Sequence, residues 1–261
     1  MYDAPMPALF LGHGSPMNAL EETPFSAQWR RLGIALPRPR AIVVISAHWC
    51  TRGLWVTAMA HPRTLHDFTG FPPALAALSY PAPGSPALAM ELQTLLAADF
   101  PLALDRQAWG FDHGAWSLLL HLYPQADIPL VQLSLDLTQP PAYHYRLGQA
   151  LAVLRRRGIL LLGSGNVVHN LRTLRWQASA PPYPWALRFE RFVRDNLSQQ
   201  GCESPLVQFA RHPDAALANP TPEHFLPLLT VLGCWDGRER QQVFDLGIVM
   251  GSLSMLSLQI G

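Results

Sequence analysis

The chain has 261 residues, 49% hydrophobic and 14% charged, which is enough for a large core and too apolar for disorder. Nineteen basic against eighteen acidic residues leave a formal charge of +1, so no net basic field gathers nucleic acid. Every basic residue among the nineteen is arginine, which excludes a lysine Schiff base, a lysine general base and a P-loop lysine.

In chain order, Ala8–Leu11 reads as a first strand and Phe25–Gly33 as a helix. Strands follow at Ala41–Ile45 and Leu54–Ala58, then helices at Pro86–Ala98 and Ala115–Leu122. Ile128–Leu135 and Ile159–Leu162 read as strands on either side of a helix at Pro141–Arg157. Helices at Pro184–Gln199 and Pro222–Leu232 precede a tail, Asp245–Ile260, of one or two closing strands. Pro86, Pro141 and Pro222 stand where a first helical turn begins, a position that needs no backbone N–H. Several strands are continuously apolar, which suits a sheet covered on both faces. The alternation predicts an α/β/α sandwich with a mostly parallel or mixed central sheet. No composition shift marks a domain boundary, so a single domain is expected.

Cys50, Cys202 and Cys234 are odd in number and far apart, which suggests neither a disulfide framework nor a zinc knuckle. The first residues lack the pattern of a signal peptide, and no apolar run is long enough to span a bilayer. A cytoplasmic protein with no membrane or nucleic-acid partner is the expectation.

The polar residues are more informative. His13, His48 and His169 each follow an apolar strand-like run in a small-residue turn, where α/β sheets bind ligands. His113 in Gly110–Gly114 and His224 in Asn219–His224 occupy similar polar turns or helix starts. A single histidine of this kind is ordinarily a satisfied loop residue; five in one domain point to a shared metal or acid–base site. His61, His121, His144 and His212 fit turns, helix surfaces or helix ends, and His66 a pocket rim. Trp49, Trp109, Trp116, Phe68 and Phe71 read as core or as a wall for a planar aromatic substrate.

Rival motifs fail. Gly12–Met17 and Gly163–Val168 each lack the third glycine of a dinucleotide fingerprint. No G-x-S-x-G elbow exists for a serine hydrolase, and Cys50 near His48 is set aside as a thiol nucleophile.

The segments Pro7–Ala19, Ser46–Trp49, His66–Pro72, Tyr80–Ala87, Trp109–Gly114, Gly163–Arg172, Asn219–Leu229 and Gly251–Leu256 together resemble the bacterial 4,5-DOPA extradiol dioxygenases, within the class III (LigB-like) ring-cleaving dioxygenases. The resemblance runs through nearly the whole chain and implies one LigB-like catalytic domain over residues 1–261. It implies a mononuclear divalent metal held by His13, His48 and His224, with His169 a fourth ligand or a catalytic acid–base group of near-neutral pKa. His113 matches a pocket histidine near oxygen and substrate. The wider class completes its ligand triad with a carboxylate, whereas this chain offers His224 with Glu223 beside it. Ser46, Asn166 and Asp112 are candidates to fix imidazole tautomers. The implied partners are a small aromatic diol such as DOPA and O2. Fe(2+) is expected for activity and Zn(2+) in purified protein, because affinity order favours zinc although zinc has no redox chemistry. A zinc hydrolase on the same scaffold and a non-enzymatic metal-binding protein are the alternatives. Which arginine reads a substrate carboxylate, and the oligomeric state, stay open.

Overall fold

A computed structural model describes residues 4–177 and 179–261. Eight strands form its main sheet: β1 Ala8–Gly12, β2 Ala41–Thr51, β3 Leu54–Thr57, β4 Leu102–Asp105, β5 Leu130–Asp136, β6 Ile159–Gly165, β7 Gln241–Phe244 and β8 Ser257–Ile260. They lie side by side in the order β4-β3-β5-β2-β6-β1-β8-β7. The central four, β5, β2, β6 and β1, are parallel. β3 is antiparallel to β5, and β8 and β7 close the other side as antiparallel strands. The sheet is therefore mixed.

Two apolar layers explain the continuous hydrophobic runs. Leu9, Leu11, Ile42, Val44, Leu160 and Leu162 pack on one face against Trp29 and Leu32 of α1 (Pro24–Ala35). Phe10, Val43, Ile45 and Leu161 pack on the other, with α2 (Pro86–Leu96) lying over the same layer. Helix α3 (His113–Leu122) joins the first layer. Helices α4 (Pro141–Leu151), α5 (Pro184–Asn196) and α6 (Leu226–Gly233) join the second. Alternate residues of each strand thus meet different helices, as a pleated strand requires. No helix of the described residues is long and apolar enough to cross a membrane.

Pro86 and Pro141 do open their helices, but the last expected helix begins at Leu226, and Pro222 lies in the preceding turn. The helix from Pro141 tightens into a 3-10 segment, Ala152–Arg157, and stops at Gly158, whose φ of +77° suits glycine. β4 and β7 differ from the expectation: the apolar stretch of β4 spans only residues 102–104, and β7 carries two glutamines. β2 runs further than its apolar core, through His48 to Thr51, with its register against β5 shifting between Ile45 and Cys50. His48 therefore sits inside a strand and not in the turn after one.

Candidate metal centre

Parallel strands deliver their carboxyl ends to one edge of the sheet, and the candidate histidines assemble there. His13 follows β1, its backbone N–H donating to Gly165 O at 3.1 Å. His48 lies in β2, and His169 four residues beyond β6. His113 is the first residue of α3, whose N-terminus is capped by the Asp112 carboxylate accepting from Ala115 N. Arg63–Thr64 pairs with Gly110–Phe111, which draws the following segment, Leu65–Pro72, over His113. His224 lies just before α6. Gly165 lets the β6 end pass against it: a Cβ there would overlap the His224 carbonyl. Gly114 does the same for α3, where a Cβ would stand 2.5 Å from Ser46 Oγ and 2.9 Å from the His48 ring.

All five candidate histidines line one cavity of about 750 Å³, together with Phe68, Phe71, Trp176, Met17, Met250, Asp67, Glu223 and Arg172. Ring centroids of His13 lie 5.0 Å from His48, 5.4 Å from His224 and 5.8 Å from His113. His169 stacks on His224 at 3.4 Å with its plane only 5° away. Ligand atoms of His13, His48 and His113 all lie within 4.8 Å of one another. The tightest grouping thus takes His113 as its third member, where the resemblance implies His224.

The hydrogen bonds decide which way the lone pairs face. Ser164 Oγ donates to Gly114 O at 2.6 Å, so its oxygen is left to accept from His13 Nδ1 at 2.9 Å. His13 Nε2 then carries a bare lone pair, and His48 Nε2 stands 3.2 Å from it. Asp67 Oδ2 lies 3.6 Å behind His48 Nδ1, and Glu223 Oε1 lies 3.4 Å behind His224 Nδ1. Acidic oxygens at those nitrogens favour the Nδ1–H tautomer, which again leaves Nε2 bare. His224 Nε2 is buried with no partner at all. Two lone pairs 3.2 Å apart repel unless a cation or proton lies between them.

An imidazolium between them is disfavoured, and a neutral Nε2–H tautomer of His48 would turn a bare Nδ1 lone pair toward the Asp67 carboxylate. Burial, with the neighbouring histidines adding to it, pushes His13 and His224 well below their usual range. Burial and His113 take His48 down to about 3, with Asp67 offsetting only part. The rings are neutral at pH 7, and neutral imidazole is what a divalent metal ligates. The donor set fits such an ion.

Around these rings, Asp67 is buried against ionisation, yet His113 and His48 hold it down at about 2. Asp112 is pushed up to about 6 by burial; Ser46 Oγ donates to its Oδ1 at 2.8 Å, and Gln132 Nε2 to its Oδ2. Ser46 meets His48 at the backbone and not at the ring. Asn166 Nδ2 donates to Ser254 O, bracing the loop rather than an imidazole. Sequence reasoning missed Ser164, whose role rests on a partner 151 positions away, and Asp67, which lies beside the more visible His66. His66 itself bonds Leu78 O and contacts Phe68 and Trp116. Cys50 donates to Ala47 O, and burial pushes its thiol up to about 12, so it stays protonated. Burial lowers His169 to about 4, well below the near-neutral value expected, with Glu223 opposing the shift.

Phe68 and Phe71 face the cavity, as an aromatic wall requires, whereas Trp116 is core and Trp49 stacks on Trp109. His121 bonds Asn18 O, and His212 ends a short 3-10 turn. His144 departs from expectation: it is fully buried in α4, not on a helix surface.

Residues 7–248 match the family model described as the catalytic LigB subunit of aromatic ring-opening dioxygenase. The chain is 59% identical over 258 residues to a 4,5-DOPA dioxygenase extradiol of Escherichia coli (strain K12), covering 98% of this chain and 95% of that protein. It is 39% identical to a 4,5-DOPA dioxygenase extradiol of Beta vulgaris, covering 86% and 85%. A crystal structure of an uncharacterized protein from Escherichia coli K12 superposes with a TM-score of 0.87 at 56% identity, covering 98% of this chain and all of that one.

Proposed function

The chain belongs to the LigB family of extradiol aromatic ring-opening dioxygenases, and from that membership we propose that it cleaves a catechol such as DOPA with O2 at a mononuclear divalent metal. The observation that carries this reading is the apposition of His13 and His48, Nε2 to Nε2 at 3.2 Å, on the wall of a 750 Å³ cavity with aromatic sides. We assign His13, His48 and His224 as ligands. His224 is preferred because the family resemblance implies it and its buried Nε2 is orphaned; His113, whose buried Nδ1 is orphaned too, is the competing third ligand. Bound Fe(2+) would supply the redox chemistry through which O2 attacks a catechol, and zinc in the same place would not.

The chain's own groups do the rest. His169 is neutral at pH 7 and takes a proton from a catechol hydroxyl, then returns it as the ring opens. With a lowered pKa it is a weak base in the free site, and the negative charge of a bound catecholate strengthens it. His113 hydrogen-bonds oxygen or the substrate. Phe68 and Phe71 hold the ring and exclude water. Arg172 is the one arginine among the residues lining the cavity, and no ion pair engages it among the described residues. We assign it to the carboxylate of a DOPA-like side chain. The whole chain acts as one cytoplasmic catalytic domain in this reading.

The test is anaerobic loading with Fe(2+), then addition of oxygenated buffer to a panel of catechols. Ring cleavage gives a yellow semialdehyde with one O2 consumed per catechol. No oxygen uptake on any catechol, or ester hydrolysis by the zinc form without oxygen, refutes it.

A further inference from the structure

We propose that Asp67 is a positioning residue of the metal centre: its carboxylate sets the orientation of His48 and His113 and supplies negative charge that the neutral imidazole ligands lack. The inference rests on the metal-site reading above and adds a residue to it.

The carboxylate straddles two rings. Its Oδ1 accepts the His113 backbone N–H at 2.9 Å and lies 3.0 Å from His113 Nδ1. That second contact is close but lacks hydrogen-bond geometry. Its Oδ2 lies 3.6 Å from His48 Nδ1. The two rings it addresses are 3.9 Å apart between centroids. Only 20% of its side chain is exposed, so water screens it weakly.

Charge explains why such a group is needed. A divalent ion on three neutral rings leaves two uncompensated positive charges in a site walled by aromatic and aliphatic groups. Charge in such surroundings is costly unless it is paired. Asp67 behind His48 and Glu223 behind His224 offer two negative charges, each one ring away from the lone pairs. A carboxylate behind a ligating histidine also fixes its tautomer and raises its basicity.

Asp67 also anchors the Leu65–Pro72 segment to the first turn of α3, so a purely structural role must be separated. Asp67→Asn keeps the size and an oxygen that can accept from His113 N, but removes the charge. Asp67→Glu keeps the charge. Metal-stripped full-length protein is titrated with Co(2+) at fixed pH, following the visible cobalt absorption, with the melting temperature of each metal-free variant as a control. The Asn variant should bind Co(2+) about 10- to 100-fold more weakly, the range found for outer partners of metal ligands. The Glu variant should recover at least part of that loss. Co(2+) affinity of the Asn variant within twofold of the parent overturns the proposal, as does equal loss in the Asn and Glu variants. If the Asn variant melts early, the Glu variant decides on the same criterion against Asp67→Ala. A parent protein that binds no Co(2+) refutes the metal-site reading itself, a distinguishable result.

Discussion

Two places in this molecule strip histidine of water, and they come to opposite ends. At the sheet edge, five imidazoles crowd one cavity; His13, His48 and His224 each have an oxygen behind Nδ1 and a bare Nε2 toward their neighbours or without partner. In α4, His144 is fully buried and neither of its ring nitrogens has a partner. Burial depresses both regions alike, taking His48 down to about 3 and His144 down to about 4. A perturbed pKa therefore does not mark the site. Oriented lone pairs converging on a space large enough for a guest do.

The comparison breaks most sharply at the ligands. His13→Ala or His48→Ala should lose bound metal completely after dialysis, measured by elemental analysis, and full occupancy in either would dissolve the distinction. The third ligand separates on the same assay: His224→Ala should release metal and His113→Ala should retain it, and the reverse pattern transfers the role to His113. Next in size, His169→Ala should keep metal and lose about 10²- to 10⁴-fold in turnover, the usual worth of a positioned acid–base group. Metal loss there would make it a ligand. Arg172→Gln should raise KM about tenfold for DOPA and leave dopamine, which has no carboxylate, unchanged; an equal effect on both would remove Arg172 from substrate recognition.

A change at His144 concerns stability and leaves the site untouched. Its folded pKa of about 4 lies below the ordinary 6.5, so the unfolded chain takes up the proton first. Stability is full above pH 6.5 and is lost as pH falls toward 4, by about 2 kcal/mol at pH 5 for this one group. His144→Leu should flatten that part of the pH–stability curve in denaturant melts. An unchanged acid limb would mean that His144 is not the buried base described.

The doubly covered strands were legible because a strand between two helical layers must be apolar throughout, as Val43–Ile45 and Leu160–Leu162 are. β4 and β7 escaped because edge strands are half-solvated: Ala103 and Leu104 are half-buried, and Gln241–Phe244 carries two glutamines. The five site histidines could be picked out because each stands among small or polar residues in the sequence, although His48 proves to lie in a strand and His113 to open a helix. Their supporting oxygens could not, since Ser164 and Asp67 acquire meaning only when crossover connections bring them to His13 and His113. His144 was misplaced because Tyr143, His144 and Tyr145 are all buried, leaving no one-sided stripe to read.

β1, which delivers His13, is paired on one side with β6 and on the other with β8, the final strand. His224 comes from just before the last helix. His13 and His48 therefore come together only once β6 has paired between β1 and β2, and His224 joins them from much further along the chain. Zinc fingers capture their ion from neighbouring ligands and fold around it. Here the candidate ligands come from separate strands and loops, so metal uptake would report that β1, β2, β6 and the approach to α6 have assembled.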